Sequence, residues 1–186
     1  MSVRLGILSV LTLGQAYGLQ IHGELESRTN RPGEINVGQI YSTIERLQSR
    51  GLVVKAGSTS DGLPLYAVTA SGEAEADAWL SFEDVVHSDW REMVSHVLLA
   101  TSMPGRSALP VIRGYRARFE ALGTQETTAG EHDPAQKRLG ALSDTVLADA
   151  AIRWLDGVAA ELAAPADTRQ ALGLLRPRRG RRPAGS

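Results

Sequence analysis

Asn36-Val-Gly-Gln-Ile-Tyr-Ser-Thr-Ile-Glu-Arg-Leu-Gln-Ser-Arg-Gly-Leu52 decides the fold. Val37, Ile40, Ile44 and Leu47 recur at threes and fours, which lays them on one stripe of a helix. Gln39, Ser42, Arg46 and Ser49 fall on the opposite side. Asn36 suits the N-cap, and Gln39 three positions on completes a capping-box-like pair. Gly51 ends the helix. A short capped helix with an apolar back and a hydrogen-bonding front suits a DNA major groove, where Gln, Asn, Ser and Arg read base edges. A plain scaffold helix has the same pattern, so the neighbouring stretches matter.

Upstream, Ser2 to Leu13 reads as a first helix, with Leu5, Leu8 and Leu11 three apart and Ile7 and Val10 widening the face. Gly14-Gln15-Ala16 breaks it. Tyr17 to Arg28 reads as a second helix, with Tyr17, Ile21 and Leu25 on one line. Thr29 to Gly33 is a turn by composition. Downstream the period drops from 3.6 to 2. Leu52 to Ala56 and Leu65 to Thr69 are β-rich, and Gly57 to Pro64 between them is turn-forming. Three helices followed by two strands and a polar loop make a winged helix-turn-helix with a two-stranded wing.

Thr69 is the expected cap of a further helix. Trp79, Phe82, Val86, Trp90, Met93 or Val94, and Val97 then continue at threes and fours, which predicts one long helix to about Ala100. Met103-Pro104-Gly105 ends it. Ile112, Tyr115, Phe119 and Leu122 mark another helix, Gly123 to Asp133 a loop, and Ala135 to Ala164 a long final helix. The fold class is therefore mostly α. The expected domains are a winged helix-turn-helix over 1–80, a helical dimerisation and effector domain over 81–164, and a disordered Arg-rich tail over 165–186.

Cysteine is absent from the 186 residues, which excludes disulfides, thiolate nucleophiles and cysteine metal sites. His22, His87, His96 and His132 show no metal-ligand spacing. No nucleophile elbow, P-loop or dinucleotide fingerprint is present, so neither an enzyme, a cofactor nor a metal is expected. No three-part signal peptide and no membrane-length apolar run appear, so a cytoplasmic protein without a membrane partner is expected. The net charge of −1 hides a distribution: residues 1–72 carry +1, residues 73–175 carry −7, and the tail from Arg176 carries +5. A nearly neutral N-terminal part does not advertise nucleic-acid binding, so two copies and a few placed contacts would have to supply it.

Three blocks are similar to one family. Tyr17-Gly-Leu-Gln-Ile21 resembles the Tyr-Gly-x-x-Ile opening of helix two in PadR-family transcriptional regulators. Gly38-Gln-Ile-Tyr-Ser-Thr-Ile-Glu-Arg-Leu-Gln-Ser-Arg-Gly-Leu-Val53 resembles their Gly-x-Leu-Tyr-x-x-Leu-x-x-Leu-x-x-x-Gly-Leu-Ile signature. Tyr66-Ala-Val-Thr69 with Gly72 resembles their Tyr-x-Leu-Thr-x-x-Gly close to the wing. The long helix after the wing and Arg153-Trp154-Leu155 resemble the helical C-terminal domain of the longer subfamily. The resemblance implies a homodimeric repressor or activator on an inverted-repeat DNA operator. It implies dimerisation through the C-terminal helices and, in many members, release by a small aromatic effector. One departure is the wing, where Asp61-Gly62-Leu63-Pro64 stands in place of the family's basic residues. An acid there weakens the electrostatic attraction to phosphate.

The candidate DNA contacts are Tyr17, Asn36, Gln39, Tyr41, Ser42, Thr43, Arg46, Lys55, Ser58, Thr59 and Ser60. Ser42 and Arg46 have no packing reason for their positions. Gln39 reads either as a cap partner or as a base reader, Tyr41 as packing or contact, and Lys55 as a phosphate contact or a solvated strand charge. Tyr17 is placed to donate to a phosphate near a helix N-terminus. Ser58, Thr59 and Ser60 can bond phosphates without charge. Trp79, Trp90 and Trp154 read as dimer core, or as an aromatic effector pocket. The arginine tail reads as a non-specific DNA arm or a disordered end. The competing function is a winged-helix protein-interaction module without specific DNA binding.

Overall fold

The computed structural model describes residues 2–83, 89–125, 133–164 and 168–173. The chain divides into two compact units, Ser2–Ala76 with the segment from Gln170, and Asp77–Arg169.

The first unit is built from α1 (Val3–Leu11), β1 (Ala16–Tyr17), α2 (Gly18–Arg28), α3 (Val37–Ser49), β2 (Val53–Ser58) and β3 (Pro64–Val68). Ile7, Leu8 and Val10 of α1, Ile21 and Leu25 of α2, and Ile40, Ile44 and Leu47 of α3 are all buried. These are the stripes that the sequence spacing lays out, and burying such side chains contributes about 1.5–3 kcal/mol each relative to exposure. The two helices behind the wing end in the same way. In α3, Gly51 takes φ +70, Leu52 N–H donates to Leu47 O and Gly51 N–H to Gln48 O. That is the left-handed glycine stop in which two orphan carbonyls find donors. Asn30 (φ 52) closes α2 likewise. The turn between them is pinned by α2 itself. His22 Nε2 donates to Ile35 O (2.7 Å), and Glu26 accepts from Gly33 N–H (2.6 Å).

The sheet has three strands in the order β1-β3-β2, all antiparallel. The third strand, β1, departs from the expected two-stranded wing. Ala16 and Tyr17 pair with Tyr66 and Leu65, so the segment that ends α1 also ties the wing to the helical trio. Lys55 pairs with Tyr66, and a register shift lies between Lys55 and Ser58. Thr69 caps the next helix, α4 (Ala70–Leu80): its hydroxyl accepts from Gly72 N–H and donates to Gly51 O.

The expected single helix from Thr69 to Ala100 does not form. After α4, Phe82 takes φ 66, and α5 (Trp90–Ser102) starts afresh with Asp89 accepting from Glu92 N–H at 3.0 Å. Residues 84–88, which include Val86 and His87 of the predicted pattern, lie outside the described residues. The second unit continues with α6 (Leu109–Gln125) and α7 (Ala135–Ala163). Val111, Ile112, Tyr115 and Phe119 of α6 are buried, as are Ala148, Ala151 and Leu155 of α7. Arg116 of α6 reaches Asp156 of α7 at 2.9 Å. Among the described residues, no helix is long and apolar enough to cross a membrane.

An aromatic cluster centres this second unit. Trp79 stacks on His96 with ring centroids 3.8 Å apart and planes 8° from parallel. Phe82 meets Tyr115 edge-on at 4.8 Å, and His96 Nδ1 lies 3.1 Å from the Tyr115 hydroxyl. Gly114 makes the fit possible, since a Cβ there would overlap the Phe82 ring. Burial pushes the His96 imidazole down to about 3, and the Trp79 main chain offsets only part of that. Burial, helped by Glu92, pushes the Tyr115 hydroxyl up. His96 is thus neutral in the fold but protonates near pH 6.5 once unfolded. Its contribution is full above pH 6.5 and falls as pH drops towards 3, because only the unfolded state takes up the proton. The expected loss is about 1.4 kcal/mol for each pH unit below 6.5. His96→Phe keeps a stacked ring without a titrating group. Denaturant midpoints for both proteins at pH 7.5 and 5.5 check this. Parallel pH dependence of the two would sink it.

Candidate nucleic-acid interface

The exposed side of α3 carries Gln39, Tyr41, Ser42, Glu45, Arg46 and Ser49. Its first turn is fixed by Asn36, whose side-chain oxygen accepts from Gly38 N–H at 2.7 Å. Ser42 donates to Gln39 O (3.2 Å), and Arg46 lies along the same ridge. Arg46 Nε donates to Ser42 O (3.2 Å) and Nη2 to Thr43 Oγ1 (3.1 Å). The guanidinium is thereby held flat over the helix front. Its planar fork is the shape that pairs two-pronged with a guanine edge or a phosphate. Thr43 itself differs from the expectation of a surface contact. It is buried at 5% exposure, beneath Arg46, and its hydroxyl braces that side chain.

Tyr41 is 37% exposed and leans over the start of α2. A Cβ at Gly18 would come within 2.5 Å of its ring, so glycine is what lets α2 and α3 approach there. Tyr17, one position earlier, is only 8% exposed and is held in β1. It is at once the last residue of β1 and the N-cap of α2, so it stands at the helix N-terminus with most of its side chain buried. Behind α3, burial raises the Tyr66 hydroxyl above the usual tyrosine range, with Tyr41 and Glu45 adding to it.

The wing closes on itself. Thr59 N–H donates to Leu63 O (2.8 Å), Gly62 N–H to Thr59 O (2.9 Å), and Leu63 N–H to the Thr59 hydroxyl (3.0 Å). Thr59 is therefore first a loop brace. Lys55, Ser58, Ser60 and Asp61 are exposed around it. The set that the unit brings to one helix front is Gln39, Tyr41, Ser42 and Arg46, with Asn36 at its start. Lys55, Ser58 and Ser60 stand on the wing.

The family model described as "Transcriptional regulator PadR-like family" matches residues 7–78. Residues 7–78 belong to the PadR-like family of transcriptional regulators. The match covers the second half of α1, all of α2 and α3, the wing and most of α4. Solved structures similar to this chain include Bacillus subtilis PadR in complex with operator DNA. The identity is 15% and the TM-score 0.42, over 85% of this chain and 98% of that one. Bacillus subtilis PadR in complex with p-coumaric acid is similar at 16% identity and TM-score 0.40, over 88% and 100%. A protein of Streptococcus mutans UA159 is similar at 21% identity and TM-score 0.40, over 88% and 100%. No curated protein matches the chain.

Within this PadR-like domain, Glu45 is an exposed residue of the candidate front that the sequence reading passed over. It stands between Ser42 and Ser49 on the exposed stripe, and a carboxylate there can accept from a cytosine amino group. Its spacing, three after Ser42 and four before Ser49, is the signal for that stripe. Beyond the PadR-like domain, the three tryptophans do not gather in one stack. Trp90 faces Trp154 with centroids 5.9 Å apart and planes tilted 59°, both half-buried. Trp79, at 3% exposure, belongs to the His96 cluster. A cavity of about 520 Å³ in the second unit is lined by Thr101, Arg106, Leu109, Ala159, Leu162 and Thr168 among others, and by none of the tryptophans.

Proposed function

We propose that this chain is a homodimeric transcriptional repressor. Residues 1–80 act as the DNA-binding domain and 81–164 as the dimerisation and effector domain. One α3 from each protomer enters a major groove of a pseudo-palindromic operator. The observation that carries the reading is the front of α3, where Asn36, Gln39, Tyr41, Ser42 and Arg46 present base-reading groups on a helix whose back is locked into the core. The support for a dimer is α7. Leu139, Leu142 and Val146 repeat at three and four and are 57–65% exposed, an apolar line that a second copy would cover. The Trp90–Trp154 pair supports a flat aromatic effector, which would act by altering the spacing of the two α3 helices.

Asp61 on the wing and the +1 charge of residues 1–72 favour the other reading, a protein-interaction module. Operator spacing separates the two. An operator selected from a random pool should contain two half-sites. Inserting about 5 base pairs between them, half a helical turn, should reduce binding to that of a single half-site. Equal binding by the lengthened operator rules out the dimer mechanism. No selectable DNA at low salt favours the protein-interaction module.

A further inference from the structure

The sequence predicts a disordered tail over 165–186, but residues 168–173 are described and bonded. Residues 165–167 and 174–186 lie outside the described residues. In the first unit, residues 170–173 dock on α2. Arg28, only 3% exposed, donates through Nη2 to Gln170 O at 2.9 Å and to Ala171 O at 3.0 Å. Gly173 N–H donates to Glu24 Oε1 at 2.7 Å. In the second unit, the Thr168 hydroxyl donates to Thr101 O at 3.1 Å. Thr168 and Arg169 thereby contribute to the wall of the 520 Å³ cavity of that unit.

Three helix ends supply the rest of the wall: the last turn of α5, the start of α6 and the last turns of α7. Ala159, Leu162 and Ala163 lie three and four apart, on one face of α7. The two alanines offer single methyl groups and leave room that larger side chains would fill. Leu109 of α6 also lines the cavity and is 45% exposed, an apolar side chain still in water. A volume of 520 Å³ falls within the range of small-molecule sites, about 300–1,000 Å³.

The polar lining has one sign of charge. Arg106, Ser107 and Arg169 line the cavity, and among the described residues neither an Asp nor a Glu does. Arg106 bonds Asp77 through Nη2 and has no other partner among the described residues. A guanidinium has five N–H donors, so most of this one remain for a second carboxylate. Ser107 Oγ accepts from Leu109 N–H at 3.3 Å, which leaves its own O–H to donate. No aromatic ring is among the described lining residues, so nothing there stacks on a flat ligand. Cations without an acid call for an anion, and aliphatic walls without a ring call for a chain.

We propose that this cavity binds a medium-chain aliphatic carboxylate. Arg106, Ser107 and Arg169 hold the carboxylate, and Leu109, Ala159 and Leu162 cover the chain. None of the three tryptophans lines the cavity, so the site is separate from the Trp90–Trp154 pair and does not rest on it.

Octanoate is the probe, titrated calorimetrically into the full chain. It should bind saturably, one molecule per protomer. Acetate lacks six methylenes and should bind at least about 100-fold more weakly. Octan-1-ol lacks the charge, and benzoate replaces the chain by a ring; each should bind at least about tenfold more weakly. Arg106→Gln and Arg169→Gln should each weaken octanoate about fivefold or more. Ala159→Leu fills the cavity and should abolish binding. Ala163→Leu asks the same question if the first variant lowers the melting temperature. Absence of saturable octanoate binding by about 10 mM overturns the proposal. Acetate, octan-1-ol or benzoate bound as tightly as octanoate overturns the ligand class, and unchanged affinity in both arginine variants overturns the carboxylate contact. A folded cavity-filling variant that binds like the parent overturns the site.

Discussion

Arg46→Ala is expected to weaken operator binding at least about 30-fold and to leave binding to random duplex within about threefold. A well-placed guanidinium on a base edge gives about 1–3 kcal/mol of discrimination. A two-fold complex contains the residue twice, so the loss is about 2–6 kcal/mol. The geometry favours the larger part of that range. Arg46 is already tethered by Ser42 O and Thr43 Oγ1, so little side-chain freedom remains to be lost on binding. The residue is exposed, so its removal should leave the melting temperature nearly unchanged. Fluorescence anisotropy on the selected operator and a random duplex at one salt concentration measures both losses. Equal losses on the two DNAs would place Arg46 on phosphate rather than on a base.

The part of this candidate interface that is legible in the sequence is the part set by periodicity. Ile40, Ile44 and Leu47 announce the buried back of α3, and the change to period 2 after Gly51 announces the wing. Thr43 escapes a reading by residue type alone. It stands three after Ile40 and four before Leu47, which is the apolar stripe, and its burial follows from that angle. β1 is invisible for another reason. Two residues carry no alternation, and the partners of Ala16 and Tyr17 lie near residue 65. The break after α4 is hidden because Trp79 and Phe82 keep helical spacing while both turn into the His96 cluster. What marks the new helix is Asp89-Trp-Arg-Glu92, an acid whose side chain accepts from the backbone three residues on. The docked segment at 170–173 has no period at all. Its position is dictated by the buried guanidinium of Arg28, a tertiary demand that leaves no local trace.

Gly72→Ala is expected to cost the winged-helix unit about 3 kcal/mol. Taken alone, alanine in a helix is favoured over glycine by about 1 kcal/mol, so a local reading predicts a gain. The surroundings reverse the sign. A Cβ at Gly72 would lie 2.2 Å from Leu52 O and 2.8 Å from a Val68 methyl. The first of these is main chain and has no rotamer to change. Leu52 O also accepts from Thr69 N–H at 3.0 Å, so moving it breaks the joint where β2, β3 and α4 meet. The Thr69 cap on Gly72 N–H and the Thr69 bond to Gly51 O would shift with it. That joint holds the stop of α3, so the damage should reach α3 as well as the melting curve. For a unit of this size, 3 kcal/mol corresponds to roughly 12–24 °C in melting temperature. Thermal unfolding by circular dichroism, with operator binding measured well below the transition, checks both consequences. A melting temperature equal to or above that of the parent would mean that α4 can rise off Leu52, and the tight joint would then not be what positions α3.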